Sequence, residues 1–121
     1  IYLDTVHDFL RKHEVHAMMH ITGGAFSKLR DILTGADAEI EFPSALKPQP
    51  IFYELYRRGI SSKEMYTIFN CGIGFVLSVP QKEAQRIVSK AKNAHIIGYV
   101  RKGSGSVRVK SIFDGSRVLV K

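Results

Sequence analysis

The chain has 121 residues, 45% of them apolar and 24% charged, with a formal net charge of +7; this suits one domain with its own core and excludes disorder. No apolar stretch approaches the span of a bilayer and no basic start leads into a signal-like apolar run, so no membrane contact is expected. The one cysteine, Cys71, rules out an internal disulfide and agrees with a reducing, cytoplasmic location.

Taken in chain order, Asp4 and Thr5 can cap a short helix with Val6, Phe9 and Leu10 on one face. Val15 to Ile21 reads as a buried strand, on which alternation puts His16, Met18 and His20 on one side. Thr22, Gly23 and Gly24 then open an amphipathic helical stripe of Ala25, Phe26, Leu29, Ile32 and Leu33 that ends at Gly35. Ala38 to Phe42 alternates as a strand. Pro43, Pro48 and Pro50 mark a connecting loop into a helix from Ile51 to Arg58, which Gly59 ends. Ser61 and Glu64 have the spacing of a capping box, predicting a short helix to about Ile68. Gly72 to Val79 reads as a strand, Pro80 starts a helix from Gln81 to Lys92, and His95 to Val100 is a further strand. Gly103 to Ser106 turns the chain into an alternating run from Val107 to Phe113, and Asp114-Gly115 signals a hairpin before Val118 to Val120. The pattern predicts one α+β domain over residues 1–121, with helices packed on a mixed β-sheet and a C-terminal β-hairpin.

Charge is unevenly placed. Ile1 to Gln81 carries eight basic and nine acidic residues, whereas Lys82 to Lys121 carries ten basic and two acidic. Such a patch can attract nucleic acid, draw a phosphorylated substrate, or be a solvated surface. Only Tyr99 and Phe113 could stack on bases there, which argues against nucleic acid.

The main functional candidate is His20-Ile21-Thr22-Gly23-Gly24-Ala25. Backbone N–H groups from Thr22 to Ala25 at the start of a helix suit an anion, phosphate above all, and the glycines admit a close approach. A plain strand-to-helix turn capped by Thr22 is the alternative. The second candidate is Asn70-Cys71-Gly72-Ile73-Gly74, where Asn70 either reads a substrate amide or holds the turn. Cys71 reads as a small buried residue beside that turn. His13, His16 and His20 have a spacing that invites a metal, but strand alternation leaves His13 outside and no ligand set is completed, so no metal site is expected.

Together these two stretches, with Val15-His16-Ala17-Met18-Met19 leading into the first and Glu64-Met65-Tyr66-Thr67-Ile68-Phe69 into the second, resemble the C-terminal domain of aminoimidazole ribonucleotide synthetase. This family, the phosphoribosylformylglycinamidine cyclo-ligases, shares a superfamily with formylglycinamide ribonucleotide amidotransferase, selenophosphate synthetase, thiamine-monophosphate kinase and a hydrogenase maturation factor. The resemblance covers nearly the whole chain, including Ile1-Tyr2-Leu3, which looks like the family's segment leading out of its N-terminal domain. His20 favours the synthetase over its sister enzymes. Ala25 stands where the family has a third glycine, Thr67 where it often has arginine, and the Glu-Asn and Pro-Arg that usually follow the glycines are absent from Ser27 to Arg30.

The resemblance implies an ATP-dependent ring closure in purine synthesis, acting on a small ribonucleotide substrate. Within such a reaction His20 and Asn70 are the candidate catalytic residues, orienting the reacting amide, with a turn-orienting imidazole as the alternative for His20. Thr22, Gly23, Gly24, Ala25 and Gly72 are the candidate substrate- and phosphate-binding set. ATP and Mg2+ would be bound mainly by an N-terminal domain that is absent from this chain, which starts at Ile1 and is expected to be a fragment, inactive alone. That N-terminal domain is the first expected partner, and the full-length protein is expected to be a homodimer.

Overall fold

A computed structural model describes residues 3–121; the reading placed on Ile1 and Tyr2 lies outside the described residues. Helix α1 (Leu3–Lys12) leads into strand β1 (Ala17–His20), a 3-10 helix (Ala25–Ile32) and β2 (Ala36–Glu41). Then come α2 (Pro50–Arg57), α3 (Ser62–Ile68), β3 (Phe75–Ser78) and α4 (Gln81–Lys90). Strands β4 (Gly98–Lys102), β5 (Val107–Lys110) and β6 (Arg117–Leu119) complete the domain. Among the described residues no helix is long and apolar enough to cross a membrane.

The predicted α+β class with a mixed sheet is what the chain forms. Four strands lie in the order β4-β2-β5-β6, with β2 and β5 parallel and the other pairs antiparallel, while β1 and β3 form a separate antiparallel ribbon. The Ser61 hydroxyl accepts the Glu64 N–H at 3.2 Å to start α3, as expected. Pro50, read as part of the loop, instead takes the first helical position of α2, where a missing N–H costs nothing, so that helix spans Pro50–Arg57 rather than Ile51 to Arg58.

Several boundaries differ from the sequence reading. Strands β1, β3 and β5 are shorter than the runs read over Val15–Ile21, Gly72–Val79 and Val107–Phe113, and β1 is half exposed rather than buried. Asp4 and Thr5 are themselves helical, with Asp4 in the first turn, where its charge meets the positive end of the helix dipole. The stripe from Ala25 winds as a 3-10 helix, because i and i+3 spacing at Phe26, Leu29 and Ile32 suits three residues per turn as well as it suits an α-helix. Strand β4 runs from Gly98 to Lys102 rather than from His95 to Val100, since Arg101 and Lys102 stay in register against Asp37 and Ala36 of β2.

The inner sheet face carries Ala38, Ile40, Val107 and Val109 into the core, where Phe26, Met65 and Tyr66 are fully buried. The outer face is a charge lattice. Glu39, buried in the central strand, accepts from Arg101 at 2.8 Å and Arg108 at 3.3 Å; Glu41 pairs with Lys110 at 3.1 Å and Arg117 at 3.8 Å. Four of the basic residues that made the C-terminal third conspicuous are thus held by β2, which removes much of the free field a polyanion would need.

The Gly103–Ser106 stretch is a connection rather than a phosphate loop. It is not the hairpin connection its sequence suggests, because β4 and β5 lie on either side of β2 instead of pairing with each other. Its amides already hold an anion of the chain's own. Asp37 Oδ1 accepts from the N–H groups of Ser104, Gly105 and Ser106 at 2.9, 3.0 and 2.8 Å. The Ser106 bond leads in holding the Asp37 carboxyl below its ordinary range. A native value below the unfolded one, about 3.9, means that this stabilisation is present above that pH and is lost as pH falls through the native value. Asp37→Asn is therefore expected to lower the urea midpoint at pH 7, with the gap from wild type closing as the pH is lowered below the unfolded value of about 3.9. A gap that does not change with pH would contradict the assignment.

Candidate functional site

The β1–β3 ribbon builds the site. Its register pairs Ala17 with Ser78 and His20 with Phe75, and the ladder ends where the Ile21 N–H donates to the Gly74 carbonyl at 2.9 Å. Beyond that bond both strands turn away, Thr22-Gly23-Gly24 from one and Asn70-Cys71-Gly72 from the other. Two glycine motifs far apart in sequence therefore leave the same end of one ribbon. Thr22, Gly23 and Gly72 are exposed there, and His20 is an exposed neighbour one residue back in the ladder.

The first turn closes on itself in part. The Ala25 N–H donates to the Thr22 carbonyl at 2.8 Å, so of the expected row of open amides Ala25 contributes none. The Gly23 and Gly24 N–H groups have no acceptor among the described residues. Gly24 has φ 84° and Ala25 φ 43°, both left-handed. For Ala25 that conformation costs about 1–2 kcal/mol, offset by a methyl group with no exposed surface; a glycine there, as in the pattern the chain resembles, would carry no such strain. Gly23 is different. A Cβ on Gly23 would meet nothing within 4 Å, so the space above its amide is open.

The second turn is fully closed. Ile73 N–H donates to the Asn70 carbonyl and Gly72 N–H to Asn70 Oδ1, each at 3.0 Å. Positive φ at both Cys71, 51°, and Gly72, 94°, makes this a mirror-image turn, which explains the glycine. Asn70 Oδ1 is thus a structural acceptor, while its NH2 group makes no hydrogen bond among the described residues. Cys71 is buried, and burial pushes its thiol up to about 12, as befits a packing residue rather than a nucleophile.

The three histidines separate. His13 Nδ1 lies 2.7 Å from Glu83 Oε2 of α4, His16 Nε2 lies 3.2 Å from Glu14, and the His20 ring stacks on Phe75 with centroids 6.0 Å apart. The His13 bond leads in holding the Glu83 carboxyl below its usual range. Sequence reasoning missed Lys28. Its Cγ, Cδ and Cε lie 2.9, 3.4 and 3.1 Å from where a Gly24 Cβ would stand, so its stem lies along the glycine. The available signal was a lysine four residues after a glycine, one helical turn on.

The family described as AIR synthase related protein, C-terminal domain, matches residues 2–110. The chain belongs to this family. Among relatives of this AIR synthase related domain, a phosphoribosylformylglycinamidine cyclo-ligase from Bacillus mycoides (strain KBAB4) is 45% identical over 112 residues, covering 87% of this chain and 32% of that protein. A protein of the same name from Bacillus thuringiensis subsp. konkukian (strain 97-27) is 40% identical, covering 98% and 35%. The AIR synthase related domain thus spans about a third of the length of these relatives. Its fold is shared with the hydrogenase maturation protein HypE, at a TM-score of 0.72 and 15% identity over 98% of this chain and 40% of that one. A HypE structure in complex with ATP gives a TM-score of 0.64 and 15% identity, over 88% and 35%.

Proposed function

We propose that the chain is the C-terminal domain of a phosphoribosylformylglycinamidine cyclo-ligase and forms the phosphate- and substrate-binding wall of a cleft that an N-terminal ATP-binding domain completes. The observation that carries this reading is the ribbon register, which brings the His20–Gly24 and Asn70–Gly72 motifs out at one end with open amides and an open approach over Gly23. The names of the relatives supply the reaction, and the fold shared with an ATP-bound HypE supports the use of ATP.

In that reaction ATP supplies a phosphoryl group to the formyl oxygen of formylglycinamidine ribonucleotide. An internal nitrogen then forms the new bond to the formyl carbon, the C–O bond breaks, and phosphate leaves as the imidazole ring of aminoimidazole ribonucleotide forms beside ADP. Because the nucleophile belongs to the substrate, the protein needs aligned donors more than a reactive side chain. Thr22, Gly23 and Gly24 present a hydroxyl and two amides to a phosphate, and His20 and the Asn70 NH2 group orient the reacting amide. Ala25 and Gly72 serve by shaping the two turns, since their amides are already paired. On this reading ATP and Mg2+ are bound mainly by the N-terminal domain. The complete protein, on this reading, works in the cytoplasm as a homodimer.

Gly23→Ala in the full-length enzyme is the cleanest test, because the added methyl meets nothing within 4 Å and Gly23 has no left-handed φ to strain. Thermal stability is expected to match wild type, while kcat/KM falls about 100-fold as the methyl enters the ligand's space. His20→Ala is expected to fall similarly with the fold intact. Folded variants with normal kcat/KM would remove the site.

A further inference from the structure

We propose that His13 and Glu83 are positioning residues for this site, a clasp across the foot of the β1–β3 ribbon that fixes the register of its two strands. This rests on the reading of the ribbon end as the substrate site and names what holds its two halves in line.

The pair is nearly buried, and the proposed chemistry does not use it. His13 Nδ1 lies 2.7 Å from Glu83 Oε2 with the side chains only 7% and 10% exposed, although 70 residues separate them along the chain. Each stands just beyond the ribbon, at the end away from the glycine turns. His13 precedes β1 by four residues and Glu83 follows β3 by five, and between them the His16 N–H donates to the Ser78 carbonyl at 2.7 Å. Helix α1, which leads into His13, adds little hold of its own, with Val6 as its buried residue. Removing the imidazole would leave a buried carboxylate facing only Arg86, 3.1 Å away on a largely exposed side chain, and a buried charge stripped of its partner is strongly unfavourable.

The inner face of the ribbon discriminates less well between registers. Met19 and Val76 oppose each other and pack against the core, so a one-residue slip, which would turn one of them outward, is resisted. A two-residue slip is different. It keeps both side chains facing inward, because strand side chains alternate with period two, and a ribbon of four rungs with no third strand among the described residues is weakly held by itself. Such a slip would move His13 and Glu83 about 7 Å relative to each other, beyond any hydrogen bond. It would also carry His20 from opposite Phe75 to opposite Ile73 or Leu77 and draw the two glycine turns out of line. The clasp closes only in the register that lets His20–Gly24 and Asn70–Gly72 leave the ribbon together.

The test uses the full-length enzyme with His13→Ala, with Glu83→Ala, and with the two residues exchanged, His13→Glu together with Glu83→His, which restores the pair in the opposite sense. Two quantities are read, kcat/KM and the NMR signal of the His20 ring, which stacks on Phe75 with centroids 6.0 Å apart and shifts if that stack is lost. Either single change is expected to lower kcat/KM about 10- to 100-fold and to move the His20 signal, with the exchange recovering both. Glu83→Gln keeps a neutral hydrogen bond to His13 and is expected to show a smaller loss in the same two readouts, which serves where an alanine variant does not fold. The proposal is overturned if the folded variants leave the His20 signal in place, whatever their stability, because the pair then only holds α1. If the signal moves while kcat/KM stays within about two-fold of wild type, His20→Ala decides. An impaired His20→Ala shows that register does not govern catalysis and overturns the positioning role; a silent one shows instead that the ribbon end is not the substrate site.

Discussion

Gly98→Ala is expected to destabilise the protein by roughly 3 kcal/mol or more, at the upper end of what added volume in a packed site costs. A Cβ on Gly98 would overlap the backbone carbonyl of Glu39, with Glu39 C and Ile40 Cα both 3.0 Å away. All three atoms belong to the main chain of β2, the strand paired with β4 on one side and β5 on the other. A clashing side chain can rotate away; this carbonyl can move only if the ladder moves. The Glu39–Arg101 bond would be strained with it, because Arg101 lies three residues along β4. Urea unfolding measures the loss, and hydrogen exchange locates it: faster exchange should concentrate in β4 and its ladder with β2. A variant within about 0.5 kcal/mol of wild type would show that the approach of the two strands is not fixed.

Much of this arrangement was legible from the chain itself, and what escaped did so for identifiable reasons. Alternation at Ala38 to Phe42 and at Val107 to Phe113 revealed both central strands, because one face of each is apolar and the other is charged, although the second strand stops at Lys110. Ser61 revealed the start of α3 through its own hydroxyl. Pairing is non-local, however, and no pattern announced that β2 would take β5 as a parallel neighbour or that Glu39 would gather two arginines from different strands. The same limit applied at the site. Both glycine motifs could be read separately, but the register that puts Ile21 opposite Gly74, and hence the motifs together, exists only once β1 and β3 have paired. Nor could the paired state of the Ala25 and Gly72 amides be read, since each depends on local φ values rather than on residue type alone.

Phe26→Ala is expected to cost roughly 3–5 kcal/mol, the range for removing a large aromatic ring from a core. Phe26 has no exposed surface and meets two rings edge-on, Phe42 at 5.7 Å and Tyr66 at 5.8 Å between centroids. Those neighbours come from the segment after β2 and from α3, so the ring ties the 3-10 helix to the two elements beneath it. Tyr66 cannot refill the space easily, because its hydroxyl accepts the Ile112 N–H at 3.0 Å and moving the ring would break that bond. The consequence reaches the site, because the 3-10 helix begins at Ala25, directly after the glycine turn, and carries Lys28 one turn on. Phe26→Leu, which keeps most of the volume, should cost less than half as much and leave substrate affinity near normal; Phe26→Ala should weaken affinity in step with stability. If urea unfolding of Phe26→Ala gave a loss below about 1 kcal/mol, the 3-10 helix would be held by something other than this aromatic contact, and the placement of Lys28 over Gly24 would lose its structural support.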